Sequence, residues 1–417
     1  MSNKLTIGLV GFGCVGSGLY EVLNKSKLID AHIKTIVVKD PRKERSIPIN
    51  EFSYEIKDII YDDDINVVVE LINDSDAALK IVKAAFIAGK HVVSANKKLI
   101  AEHLDELLAL ATSNNVSFLY EGAVAGSIPV IRNLEEYYNN DSLTSLEGIT
   151  NGTTNYILTQ ANVGVDYQTA LKEAQDLGFA ESDPTLDVDG FDSKYKLVLL
   201  LKHAFGLSVS PNEVVNVGIR NITKHEVAFA AEKGYRIKLL SRAEKQGDEV
   251  VGFVAPHFVK PDHSAYGVDN EFNAVIVEAL FSDKQLFYGK GAGSYPTASA
   301  VLSDVSALKF DYKYEYRKSI DGASLSFTKD FFVKVYLGSP YIEAINEIPF
   351  YKIDEVYQSE EYVYQTGWVR FSELTSINFN SRNDLSLVIL PEPIEKGNLF
   401  IKKTKERRLA ALEPAVL

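Results

Sequence analysis

The first 120 residues switch repeatedly between two hydrophobic periods. Leu5, Ile7, Leu9 and Val10 form a short apolar strand, and Val15, Leu19, Val22 and Leu23 then recur at helical spacing. His32–Val38 reads as a second strand and Asn66–Ile72 as a third, buried one. The following helix carries Leu79, Ile81, Val82, Ala85 and Ile87, takes Ser75 or Asp76 as its cap, and stops at Gly89. His91–Ala95 predicts a fourth strand. Leu104, Leu107, Leu108 and Ala111 predict a helix ending near Asn114-Asn115, and Val116–Tyr120 a fifth strand. Strands separated by helices imply crossover connections and a parallel sheet covered on both faces.

The pattern changes near residue 150. Helical runs (Asn155–Ala161, Tyr167–Leu177, Asp192–Phe205) are followed by strand-like segments at Val250–Val254 and Asn273–Ala279, which predicts an α+β domain. Beyond about residue 320 the text is aromatic and strand-like, as in Phe331–Leu337, and Ile401–Arg408 reads as a loose basic tail.

Composition narrows the function classes. A chain of 417 residues is long enough for two or three compact units. The net charge of −13 argues against a nucleic-acid surface, which needs a basic stripe. No apolar run is long enough to span a bilayer. A single Cys excludes an intrachain disulfide framework or a Cys-rich zinc module and suits a reducing cytoplasm.

Four segments carry candidate chemistry. Gly11-Phe12-Gly13-Cys14-Val15-Gly16 is a GxGxxG set between a strand and a helix. Gly11 permits the tight turn, Gly13 lets backbone approach a pyrophosphate, and Gly16 allows close helix–strand packing. The helix N-terminus offers N–H groups to the anion. Cys14 occupies a variable position of the loop, where packing is its expected role. About twenty residues on, Lys39, Arg42 and Lys43 could hold a 2′-phosphate, whereas Asp40 could serve NAD; a solvated charged turn is the plain alternative.

The second segment runs from Gly178 to Lys196 and places five carboxylates within twelve residues (Glu181, Asp183, Asp187, Asp189, Asp192). The order of Asp, Gly and Glu excludes an EF-hand. Asp192 and Lys196 are four apart on a helix and share a face. They make either a surface ion pair or, in a cleft, a lysine positioned to move a proton beside a carbonyl. Third, Asn151-Gly152-Thr153-Thr154-Asn155 precedes a helix that could hold a carboxylate, or is simply a cap. Fourth, Gly289, Gly291 and Gly293 allow close backbone approach to a flat ligand or make a flexible loop.

Together these segments resemble the homoserine dehydrogenase family. The likeness also rests on Ser94-Ala95-Asn96-Lys97-Lys98, on Glu121 through Pro129, on NGTTNYILTQ from Asn151, on AESDPTLDVDGFDSKYK from Ala180 and on GKGAGSYPTASAVLSD from Gly289. It implies an α/β chain: a Rossmann-type nucleotide domain (1–130), an α+β substrate and dimerisation domain (131–320), and a small β-rich C-terminal unit (321–417) for which a degenerate ACT-like domain is one reading. It implies interconversion of L-homoserine and L-aspartate 4-semialdehyde with NAD(P) by a homodimer; Lys39, Arg42 and Lys43 slightly favour NADP, and composition favours a cytoplasmic protein with no nucleic-acid or membrane partner.

By this resemblance Lys196 matches the catalytic lysine, Asp192 its orienting partner, and Lys97 a second lysine at the reacting centre. Which lysine moves the proton stays open. Glu181, Asp187, Gly152 and Thr153 match substrate contacts. Gly11, Phe12, Gly13, Cys14, Val15, Gly16, Lys39, Arg42, Asn96, Lys97 and Gly291 match the cofactor site. Glu121 with the carbonyls of Val124, Gly126 and Ile128 matches a monovalent-cation site, with sodium expected. The chain departs from the pattern at Phe179, where Tyr is common, at Asn73-Asp74, where Gly-Gly is usual, and at Ser127 and Ser294, where Gly is frequent. After Phe331–Leu337, Gly338-Ser339-Pro340-Tyr341 lacks the family's effector-binding turn, which puts threonine feedback in doubt.

Overall fold

The computed structural model describes residues 4–26, 29–139, 142–320 and 324–397. The basic stretch Ile401–Arg408 lies outside them. Packing divides the chain into two units, Met1–Leu146 with Tyr195–Glu213 and Glu271–Ala323, and Glu147–Lys194 with Val214–Asn270 and Ser324–Leu417.

The first unit opens with β1 (Leu5–Val10), α1 (Cys14–Lys25), β2 (Ala31–Val37), β3 (Phe52–Ser53) and α2 (Lys57–Ile60). It continues with β4 (Val67–Glu70), α3 (Ser75–Ile87), β5 (His91–Ser94), α4 (Lys97–Ser113) and β6 (Phe118–Leu119). The sheet order is β3-β2-β1-β4-β5-β6, and all five pairings are parallel. Both faces of β1 and β4 are buried, as uninterrupted apolar runs require in a sheet covered on two sides. The order reverses between β1 and β4, so the crevice at their carboxyl ends is a topological switch point, where open α/β sheets bind ligands.

The parallel sheet and its helices follow the sequence pattern, with four local corrections. β3 adds a sixth strand, only two residues long and therefore without a readable period. Asp74, not Ser75 or Asp76, caps α3 by accepting the Ala77 N–H. α4 starts at Lys97, capped by Asn96, ahead of the apolar positions that marked it. Cys14 is exposed in the first turn of α1, so packing is not its role.

In the second unit, strands Arg236–Gln246 and Glu249–Val259 form a long antiparallel hairpin. Strands Phe331–Ser339, Phe350–Gln358, Val363–Arg370 and Ser386–Ile389 then alternate with helices Ile342–Asn346 and Phe371–Leu374 in the pattern β-α-β-β-α-β. Their sheet order is fourth-first-third-second, with antiparallel neighbours, which is the ferredoxin-like arrangement. The two helices are only five and four residues long. Phe331, Val333, Val335 and Leu337 pack in one core with Val251, Phe253 and Ala255 of the long hairpin, so the C-terminal strands do not close a core of their own. No helix among the described residues is long and apolar enough to cross a membrane.

Candidate functional site

Glycine geometry builds a candidate nucleotide site in the first unit. Gly11 has φ +96, and a Cβ there would press on the Leu71 carbonyl. A Cβ on Gly16 would collide with the Gly11 carbonyl oxygen, so this glycine is required for the helix to approach the strand. Gly13 has no atom within 4 Å of the Cβ position, leaving an open cradle at the start of α1. No side chain caps that helix and no acid sits in its first turn. Its amides therefore suit a pyrophosphate, and the loop fits a dinucleotide.

The turn after β2 is only partly organised. Asp40 Oδ1 accepts the Arg42 N–H at 2.8 Å, while the Arg42 side chain is 92% exposed. Lys39 and Lys43 are exposed as well. Sequence reasoning missed Arg45. Its guanidinium lies 5.2 Å over the Phe52 ring and donates to the Lys43 carbonyl at 2.7 Å. Phe52 in turn meets Phe12 of the glycine loop edge-on at 5.2 Å.

Lys97 is presented by a polar cluster that sequence reasoning also missed, because Glu70 sits inside an apolar strand. Glu70 is fully buried at the carboxyl end of β4. It accepts the Ser94 hydroxyl at 2.6 Å and the Ile72 N–H at 2.8 Å. Burial pushes its carboxyl up to about 7, against the lowering effect of Ser94. Asn96 donates to the Ile72 carbonyl at 3.0 Å and accepts the Leu99 N–H at 3.1 Å, fixing the first turn of α4. Lys97 is half-buried in that turn.

Both Glu121 carboxylate oxygens are taken by backbone, accepting the N–H groups of Ile131 and Arg132 at 2.9 Å each. Burial, and then Asp304, push this carboxyl up. A cation at the turn that follows would therefore draw on neutral carbonyls such as those of Val124, Gly126 and Ile128, a donor set suited to a single positive charge. The turn is pinned by Ser127, whose N–H and hydroxyl donate to the Lys290 carbonyl at 3.1 and 3.0 Å. Among the described residues no group of three or more His, Cys, Asp or Glu could hold a metal. At Gly291 the space of a Cβ is filled by the Asn273 side chain, so this glycine is demanded by protein packing.

In the second unit a polar cluster is organised by Asn151. Its Oδ1 caps helix Gly152–Asn162 by accepting the Thr154 N–H at 2.8 Å. Its Nδ2 donates to Asp187 Oδ1 at 2.7 Å and to Asp192 Oδ2 at 2.8 Å. The sequence offered a helix cap or a ligand-holding group here; one residue caps the helix and also joins two of the acids. Thr153 Oγ1 donates to the Phe179 carbonyl at 2.5 Å. Glu181 is exposed beyond that turn. Asp192 and Lys196 lie four residues apart on the continuous helix Phe191–Phe205, at 3% and 5% exposure. Full burial of both is inconsistent with a solvated surface pair.

Comparison with known proteins matches both segments of the chain. Residues 11–121 match the family model described as homoserine dehydrogenase, NAD binding domain, and residues 129–306 the one described as homoserine dehydrogenase. The chain is 40% identical over 316 residues to the homoserine dehydrogenase of Bacillus subtilis, covering 73% of each chain. It is 37% identical over 313 residues to that of Lactococcus lactis, covering 72% of this chain and 73% of the relative. The crystal structure of a homoserine dehydrogenase from Thiobacillus denitrificans superposes with a TM-score of 0.81 at 30% identity, over 93% of this chain and 98% of that one. The chain belongs to the homoserine dehydrogenase family.

Proposed function

We propose that the chain interconverts L-homoserine and L-aspartate 4-semialdehyde with NAD(P), on the biosynthetic route to threonine, methionine and isoleucine. The observation that carries this reading is the Asn151 amide, which joins Asp187 and Asp192 at the start of the helix that bears Lys196. A bound nicotinamide supplies or accepts the hydride. As the aldehyde carbon gains hydride its oxygen gains negative charge, and Lys196 donates the proton to that oxygen. In the oxidation direction Lys196 takes the proton back from the hydroxyl. Asp192 orients Lys196 and the substrate hydroxyl. Glu181 and Asp187 hold the substrate ammonium, and Gly152 with Thr153 contacts its carboxylate and backbone. Lys97 is the second lysine of the reacting centre.

Gly11 to Gly16, Asn96 and Gly291 serve the cofactor. Lys39, Arg42 and the stacked Arg45 support NADP over NAD, because three cations flank the turn where a 2′-phosphate would sit. A monovalent cation beside Glu121, held by the carbonyls of Val124, Gly126 and Ile128, would brace the backbone rather than take part in chemistry.

Across the two units, residues 1–130 serve as the nucleotide segment, 131–320 as the substrate and dimerisation segment, and 321–417 as an ACT-like segment with two short helices and a core shared with Val251, Phe253 and Ala255. Dimerisation through the hairpin Phe272–Lys290 is supported by exposed Leu286 and Tyr288 on its outer strand. The lone Cys supports a cytoplasmic setting.

The test is turnover of purified protein with homoserine, comparing NADP with NAD, sodium with none, and threonine with none. Homoserine-dependent NAD(P)H formation is expected. Its absence with both cofactors overturns the reading. Near-full turnover by Lys196→Ala overturns the role of that lysine.

A further inference from the structure

We infer that Asn380, in the C-terminal segment, is a positioning residue for the turn Thr185–Gly190, and that together with residues 216–220 it clamps this turn. The inference rests on the proposed reading of Asp187 and Asp192 as substrate-site carboxylates. Asn380 lies in the short helical turn Phe379–Ser381. Its Nδ2 donates to the carbonyls of Asp189 and Asn216 at 2.9 and 3.2 Å, and its Oδ1 accepts the Gly218 N–H at 2.8 Å. Every donor and acceptor class of this amide is thus used on backbone, and none is available to a substrate.

The hold is reciprocal. Asn221 Nδ2 faces the carbonyls of Phe379, Arg382 and Leu385 at 3.1, 2.7 and 2.9 Å, fixing the loop that carries Asn380. The segment 216–220, just before Asn221, lies against the turn. Ile219 N–H donates to the Val188 carbonyl at 2.7 Å, and Asn216 Nδ2 adds a second bond to the Asp189 carbonyl at 2.7 Å. A Cβ on Gly218 would collide with the Val188 carbonyl. Arg220 closes the grip, pairing with the Asp189 carboxylate and donating to Thr185 Oγ1 at 2.9 Å.

The gripped residue sits between the two working acids. Asp187 is two residues before Asp189 and Asp192 three after it, with Gly190 at φ +78 as the bend into the helix. A displaced Asp189 carbonyl therefore moves both acids relative to Asn151. The clamp gives the turn that carries Asn380 a role in the reaction that needs no effector.

Steady-state kinetics with Asn380→Ala, Asn380→Asp and Asn221→Ala tests this. Asn380→Ala should raise KM for homoserine about 5–10-fold, the equivalent of one or two neutral hydrogen bonds, with KM for NAD(P) within about twofold of wild type. Asn380→Asp keeps the bond to Gly218 but turns a carboxylate toward two carbonyls, so its KM should rise further. Asn221→Ala should shift KM in the same direction. Hydrogen exchange over residues 185–192 should quicken in all three. A homoserine KM unchanged in the folded variants, with only the melting temperature lowered, makes Asn380 merely structural and overturns the inference. Unchanged exchange over 185–192 overturns it even if wild type fails to turn over homoserine, an outcome that would count separately against the proposed function. If Asn380→Ala does not fold, the other two variants decide.

Discussion

Asn151 Nδ2 lies 2.8 Å from Asp192 Oδ2, and its other hydrogen goes to Asp187, 2.7 Å away. One neutral amide thus keeps two carboxylates side by side, while its oxygen caps a helix. Asn151→Ala should lower kcat/KM for homoserine about 100-fold or more, since two bonds to charged acceptors are lost at about 1.5–3 kcal/mol each. It should also cost about 1 kcal/mol of stability through the missing cap. Asn151→Asp retains the cap acceptor but sets a third buried carboxylate against Asp187 and Asp192, so both activity and stability in urea melts should fall further than in Asn151→Ala. Activity within twofold of wild type in both variants, by order of magnitude no larger than an exposed contact, would remove Asn151 from the site.

Glu70 predicts a pH dependence of stability. Its carboxyl is raised to about 7 in the folded chain, chiefly by burial, from an ordinary value of 4.5. A group raised on folding contributes its stability below the unfolded value and loses it as pH climbs through the folded one. Between pH 4.5 and 7 wild type should therefore lose about 3 kcal/mol from this group. Glu70→Gln keeps an acceptor for the Ile72 N–H, and its amide can donate to the Ser94 hydroxyl. The variant should match wild type near pH 5 and exceed it at pH 8, by up to about 3 kcal/mol in denaturant melts. Parallel curves at both pH values would show that the burial cost is relieved elsewhere.

The glycine loop separates a binding glycine from a packing one. Gly13→Ala places its methyl in open space, so thermal stability should hold while KM for NAD(P) rises about tenfold, the equivalent of about 1.4 kcal/mol. Gly16→Ala drives a methyl into the Gly11 carbonyl and should destabilise the fold by about 1–3 kcal/mol. Equal loss of stability in the two variants would contradict the assignment of roles.

How much of this was legible follows from what each residue type must do. The parallel sheet could be read because β1 and β4 are buried on both faces, which forces continuous apolar runs. The glycine loop could be read because its spacing is set by sterics at Gly11 and Gly16. β3 could not, being two residues paired to an edge. Glu70 was hidden because a single carboxylate at the end of a continuous apolar run reads as the point where the strand leaves the core. Asn151 was visible as a cap, but its second set of bonds runs to residues 36 and 41 positions away, and no local pattern encodes those. Asn380 was invisible for the same reason, its partner Asp189 being 191 residues distant. The C-terminal strands were legible as strands, whereas their shared core with the hairpin was not.

Cofactor choice should divide between two arginines. Arg42 is exposed and would have to be ordered by a 2′-phosphate, whereas Arg45 is already held over Phe52. Ordering a long side chain costs about 0.5–1.5 kcal/mol, so the fixed arginine should contribute more. Arg45→Ala should raise KM for NADP about tenfold and Arg42→Ala about threefold, with KM for NAD unchanged in both. A proportional rise for NAD would assign these residues to the shared part of the two cofactors.

Removing the C-terminal strands should break the second unit rather than free it. Val251, Phe253 and Ala255 are at most 1% exposed and face Phe331, Val333, Val335 and Leu337 in one core. Each large apolar side chain uncovered costs about 1.5–3 kcal/mol, so truncation after residue 323 removes more than a domain's usual margin of stability. The truncated chain should aggregate or lose cooperative unfolding, read by size-exclusion chromatography and thermal melts. Polar substitution at Val251 and Phe253 in the truncated chain should recover solubility without recovering full activity, because the grip of Asn380 on Asp189 is gone as well. A soluble, fully active chain truncated at 323 with no further change would show instead that the C-terminal strands are an autonomous appendage, despite the core they share with residues 249–259.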